Sequence, residues 1–72
     1  MIREDYAELK NLTPERFDCG VGPCPAIYET KHDTYLIIGK LVEPSEVGLG
    51  KKVAAHERLI EIPRELLLGR KE

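Results

Sequence analysis

Two cysteines and two histidines are the residues of this 72-residue chain whose types could support metal or thiol chemistry. Cys19 and Cys24 stand five positions apart in the segment CGVGPCP, and His32 and His56 follow further along the chain. Thiolate sulfur and imidazole nitrogen are ligands that structural zinc prefers, so these four residues are the candidate metal site. The C-x4-C spacing is longer than the usual two-residue zinc knuckle, which makes the pattern less specific.

The same two cysteines could instead act as a thiol pair. A disulfide between Cys19 and Cys24 would close a loop of about six residues and stabilise the fold by roughly 2 kcal/mol. The glycines between them supply freedom for closure, whereas the prolines stiffen the segment. In a reducing cytosol, thiols or metal ligands are the default state. The segment is therefore interpreted as a stiff turn that leads into a strand, with a zinc site or a reversible thiol switch as the alternative.

Other sequence patterns for catalysis are incomplete. The segment GVGPCP has prolines where a dinucleotide-binding helix must begin, and GLGKK lacks the first glycine and the Ser/Thr of a P-loop. HERLI has Ile60 where a zinc protease needs its second histidine, and Ser45 lies outside a G-x-S-x-G turn. Cys24 activated by His32 or His56 is the remaining route, but free cysteine is more often a small buried residue. We therefore predict that the protein is not an enzyme.

The charge of the chain is abundant but mixed. Eleven Lys and Arg residues against thirteen Asp and Glu residues give a net charge of −2, without a basic stripe. Because nucleic-acid binding depends on neutralising phosphates, a weak nucleic-acid accessory is only the third candidate function. The N-terminus lacks the apolar core of a signal peptide, and the apolar run YLII is too short to span a bilayer. We expect a cytoplasmic protein without membrane association.

Strand signals predict an α+β fold with a small antiparallel sheet of three or four strands. Residue alternation and strand-forming side chains place strands at residues 26–30, 34–42 and 56–62. A hairpin turn at 31–33 would put His32 or Asp33 in the left-handed conformation. Apolar residues on both faces of the second strand predict a central position in the sheet. Gly39 inside that strand indicates a bulge or a close backbone approach.

Short helices are predicted at both ends of the chain. Residues 2–12 have apolar positions at helical spacing, and Thr13 could cap a second helical turn that brings Phe17 inward. A helix after Pro63 contains the leucines at 66–68 and is too short to stand alone. If these leucines cannot all be buried within one chain, a homodimer follows, because exposed apolar patches usually mark interfaces.

Two segments of the chain resemble a group of small, uncharacterised bacterial proteins. In that pattern a cysteine precedes a Cys-Pro strand, an apolar strand contains a glycine, and an I-P-x-E-L segment closes the chain. The matching positions are Cys19, Cys24-Pro25, Gly39, Glu57, Ile62-Pro63 and Glu65-Leu66. The turn of that group is often Asp/Asn-Gly, whereas this chain has His32-Asp33. The resemblance covers residues 19–68 and implies a fold but no activity.

The length of the chain suits one domain spanning residues 1–72. A core of this size leaves little stability, so a partner subunit or protein partner is a common addition. The favoured function is a non-enzymatic accessory or interaction module that works through a face of the sheet or the leucine-rich helix. The alternative is a small zinc-binding or thiol-switch protein centred on Cys19 and Cys24.

Overall fold

The described part of the chain, residues 3–18 and 24–71 of a computed structural model, folds as two small antiparallel sheets with short helical pieces. Its strands are β1 (Lys10–Asn11), β2 (Ala26–Glu29), β3 (Tyr35–Ile38), β4 (Lys40–Val42) and β5 (Leu59–Glu61). The α-helix α1 spans Arg64–Leu68, and 3-10 helices lie at Glu4–Tyr6, Glu15–Phe17 and Pro44–Val47. One sheet has the order β1-β2-β3, and β4 pairs with β5 in the other. The predicted α+β class is confirmed.

The predicted central strand lies at an edge of its sheet. Within the described residues β3 pairs with β2 alone, and β2 is the central strand. The side chains of Tyr35, Leu36 and Ile38 are exposed. The prediction of a covered central strand was therefore wrong. An apolar pattern on both faces shows that a strand can be covered, but the neighbouring elements decide whether it is.

Gly39 divides the predicted long strand into β3 and β4. A Cβ atom at Gly39 would lie 2.6 Å from Cγ2 of Ile62 and 2.8 Å from the backbone oxygen of Glu61. Both distances are shorter than van der Waals contact, so a side chain does not fit where the segment after β5 passes. The close backbone approach predicted at Gly39 is confirmed.

The hydrophobic core joins the three-stranded sheet to α1. Its fully buried side chains are Leu12, Ile27 and Leu66, with Phe17, Ile37 and Ile62 packed against them. α1 contacts β2 and contributes Leu66 to this cluster. Leu67 and Leu68 on the same helix are 42% and 71% exposed. Only one of the three helix leucines is therefore buried within the chain.

The N-terminal segment does not form the helix that was predicted over residues 2–12. After the 3-10 helix at Glu4–Tyr6 the chain becomes extended, and β1 pairs with β2 in the register Lys10↔Glu29. Ile2 lies outside the described residues. A helix of this length is marginal by itself, so pairing with β2 and the burial of Leu12 outweigh the local pattern.

Thr13 connects the N-terminal segment to β2 instead of capping a helix. Its hydroxyl accepts a hydrogen bond from the backbone N–H of Ile27 at 3.1 Å and lies 3.4 Å from the oxygen of that residue. The 3-10 helix at Glu15–Phe17 begins after Pro14 without a side-chain cap, so the predicted role of Thr13 was wrong. Phe17 packs against the core as predicted.

Replacing Thr13 by valine is expected to lower the free energy of unfolding by about 1–3 kcal/mol. The valine would leave the buried N–H of Ile27 without its acceptor. Urea denaturation followed by circular dichroism measures the loss. Thr13→Ser keeps the hydroxyl and serves as the control, with an expected loss of about 0.8 kcal/mol for the missing carbon. Equal losses in the two variants would show that the hydrogen bond does not matter.

Candidate functional site

A surface cleft of about 490 Å³ lies where the two sheets meet. Residues that line it include Cys24, Pro25, Ile38, Lys40, Glu61 and Pro63. They come from the segment before β2, the junction of β3 with β4, and the end of β5. Gly39, which also lines the cleft, brings the junction of β3 with β4 close to the end of β5.

The cleft adjoins an exposed apolar patch on the face of the sheet that points away from the core. Ile27 opposes Ile37 in the β2–β3 pair, and both residues pack in the core cluster. Side chains alternate between faces, so Tyr28, Leu36 and Ile38 share the opposite face. We call these three residues the outer patch. Leu36 is 39% exposed, Ile38 is 52% exposed and Tyr28 is half-buried, and Ile38 also lines the cleft.

The chemical character of the cleft is mainly apolar, with one cation and one carboxylate. Lys40 opposes Glu61 across the β4–β5 pair, and both side chains are exposed. A concave and mostly apolar site with a few polar groups is typical of sites that bind another molecule. No group of three or more His, Cys, Asp or Glu residues within 3–18 and 24–71 is placed to hold a metal ion.

Cys24 lines the cleft and is disulfide-bonded. The other cysteine of the chain, Cys19, lies outside the described residues. The disulfide at Cys24 differs from the default expectation of a thiol or a metal ligand. That expectation depended on the redox compartment, which is a property of the surroundings and not of the fold.

His32 holds the N-terminal segment against the β2–β3 hairpin. Its Nε2 atom lies 2.9 Å from the backbone oxygen of Asp5, and its ring packs edge-on against Tyr6 at 5.6 Å. The Arg3 guanidinium hydrogen-bonds to the Asp5 carboxylate at 3.0 Å and lowers the pKa of that carboxyl group. His32 therefore has a structural contact within the chain.

His56 lies in an exposed turn before β5. The predicted strand at 56–62 is shorter, because β5 begins at Leu59. His56 thus lies between the 3-10 helix at Pro44–Val47 and β5, whereas His32 lies in the turn between β2 and β3. The zinc site proposed for Cys19, Cys24 and the two histidines stays a prediction.

The cleft and the outer patch were not predicted from the sequence. The available signal was the apolar character of both faces of the segment 35–42, which was interpreted as burial. The position of Gly39 was also a signal, because a close approach at a strand junction shapes the surface beside it. Neither signal identifies which face stays open, since that depends on where α1 packs.

The described residues contain no helix that combines the length and the apolar character needed to cross a bilayer. Comparison of the chain with protein families, with curated proteins and with solved structures gives no match.

Proposed function

We propose that this protein is a non-enzymatic interaction module that binds a protein partner through the outer patch and the adjoining cleft. The observation that carries the proposal is the exposure of Leu36 and Ile38 beside a cleft of about 490 Å³. Contiguous apolar groups exposed on a small domain usually mark a binding surface. The patch lies on the paired strands β2 and β3, so little backbone ordering would be needed on binding.

The charges of the chain favour a protein partner over a nucleic acid. Lys40 at the cleft is opposed by Glu61. Arg58 shares a second groove with three glutamates, which are Glu43, Glu46 and Glu57. A phosphate backbone would meet carboxylates beside these cations, which opposes its binding.

The proposal is tested by selecting, from a displayed library of random peptides, those that bind the folded protein. We expect peptides that bind the wild-type protein and lose about 10-fold to 100-fold in affinity for Ile38→Ser, because an apolar anchor at the patch is removed. Leu41→Ser is the matched control. Leu41 is 68% exposed and opposes Ile60, and its side chain lies on the opposite face of β4 from Lys40, which lines the cleft. The control should bind these peptides as the wild type does.

Circular dichroism of both variants establishes that they are folded before affinities are compared. Selected peptides that bind Ile38→Ser and the wild type equally would overturn the proposal. A selection that yields no binding peptide would overturn it as well.

A further inference from the structure

The strand β3 presents an open edge of the sheet. The backbone N–H of Thr30 donates to the oxygen of Thr34 at 2.9 Å, so this pair is hydrogen-bonded. In an antiparallel pair the bonded positions alternate, so the N–H and C=O groups of Tyr35 and Ile37 point away from β2. Within the described residues β3 pairs with β2 alone. Such outward backbone groups are a template for another strand.

The two edges of this sheet differ in how well they are protected against pairing. The edge strand β1 has only two residues and contains Lys10, and short charged strands are typical of protected edges. The segment of β3, YLII, is longer, uncharged and free of proline. Its Tyr35, Leu36 and Ile38 are 46%, 39% and 52% exposed. Among residues 3–18 and 24–71, the sheet is therefore protected against further pairing at β1 and open at β3.

We infer that β3 of a second copy of this chain occupies the open edge, in antiparallel orientation. A two-fold axis perpendicular to the sheet would join two three-stranded sheets into one sheet of six strands. In the register that opposes Leu36 with itself, Tyr35 of one copy and Ile37 of the other exchange N–H···O bonds. All outward groups of these two residues are then satisfied, and β1 lies at both ends of the sheet.

The charges that flank β3 favour this antiparallel arrangement. Asp33 precedes the strand and Lys40 follows it. In the register centred on Leu36, Asp33 of one copy lies opposite Gly39 of the other, one position from its Lys40. A parallel arrangement would instead bring the like charges of the two copies together. Asp33 and the Lys40 of the other copy point to opposite faces of the sheet, so this preference comes from the Coulomb attraction between the two strand ends and not from a direct side-chain pair.

The dimer would also change the binding surface, a consequence that rests on the proposed function. Rotation about an axis perpendicular to the sheet leaves both outer patches on the same side. The two copies of Leu36 meet at the centre, and one cleft lies on each side. A partner with two binding segments would then gain avidity from simultaneous contacts.

Sedimentation equilibrium over a wide range of protein concentrations tests the pairing. We expect a monomer–dimer equilibrium whose Kd rises at least about tenfold in Leu36→Lys, because two like charges would oppose each other at the axis. Leu68→Lys is the matched control, since Leu68 is 71% exposed on α1. A wild-type monomer at every concentration would overturn the inference, as would a dimer that Leu36→Lys leaves unchanged.

Amide hydrogen exchange of the wild-type protein gives a second measurement that needs no variant. The amides of Tyr35 and Ile37 should become protected as the protein concentration rises, and unchanged exchange in a dimer would place the interface elsewhere. The two proposals fail separately. A dimer that selects no peptides overturns only the proposed function, and a peptide-binding monomer overturns only the pairing.

Discussion

Gly39→Ala is expected to lower the free energy of unfolding by about 3 kcal/mol, the cost of forcing a carbon atom into a well-packed site. The new methyl group would lie 2.8 Å from the backbone oxygen of Glu61 and 2.6 Å from a methyl carbon of Ile62. The side chain of Ile62 can rotate, but the backbone oxygen can move only if the chain after β5 moves with it. Urea denaturation measures the loss.

Gly50→Ala is the matched control for this experiment. The nearest atom to a Cβ at Gly50 is the Cα of Ser45 at 3.8 Å, which is ordinary contact. The control should change the free energy of unfolding by no more than about 0.5 kcal/mol. Gly48 would be a poor control because its φ of 75° favours glycine by itself. Equal effects at Gly39 and Gly50 would show that the close approach is not what requires glycine.

Leu66→Ala is expected to lower the free energy of unfolding by about 2–5 kcal/mol. Leu66 is fully buried and packs with Leu12 and Ile27, the other large side chains buried to the same degree in the described residues. A domain of this size often has only about 3–5 kcal/mol from its core, so the variant should be largely unfolded at room temperature. Thermal unfolding followed by circular dichroism measures the effect.

Leu68→Ala separates core packing from helix propensity. Leu68 lies on the same helix but is 71% exposed, so its replacement changes propensity without emptying the core. We expect a change within about 0.5 kcal/mol. Similar losses at both positions would mean that α1 contributes through its own helical stability and not through its contact with β2.

Elements that depend on local backbone chemistry were predicted from the sequence. The hairpin turn has Asp33 at a φ of 60°, because a short polar residue tolerates this conformation. The close approach at Gly39 and the helix after Pro63 are also present. In each case the residue type determines which φ values, or how close an approach, the backbone allows. This property is local and does not depend on the tertiary surroundings.

The secondary structure and burial of other segments depend on tertiary contacts, which the sequence pattern does not reveal. Within residues 3–12 the chain forms a 3-10 helix and β1 instead of the predicted helix, because pairing with the backbone of β2 is more favourable than a short isolated helix. Thr13 became a core hydrogen-bonding residue for the same reason. The strand expected at the centre of the sheet is an edge with an exposed outer patch. A hydrophobic pattern records which side chains favour burial, whereas actual burial depends on neighbours that are distant in the sequence.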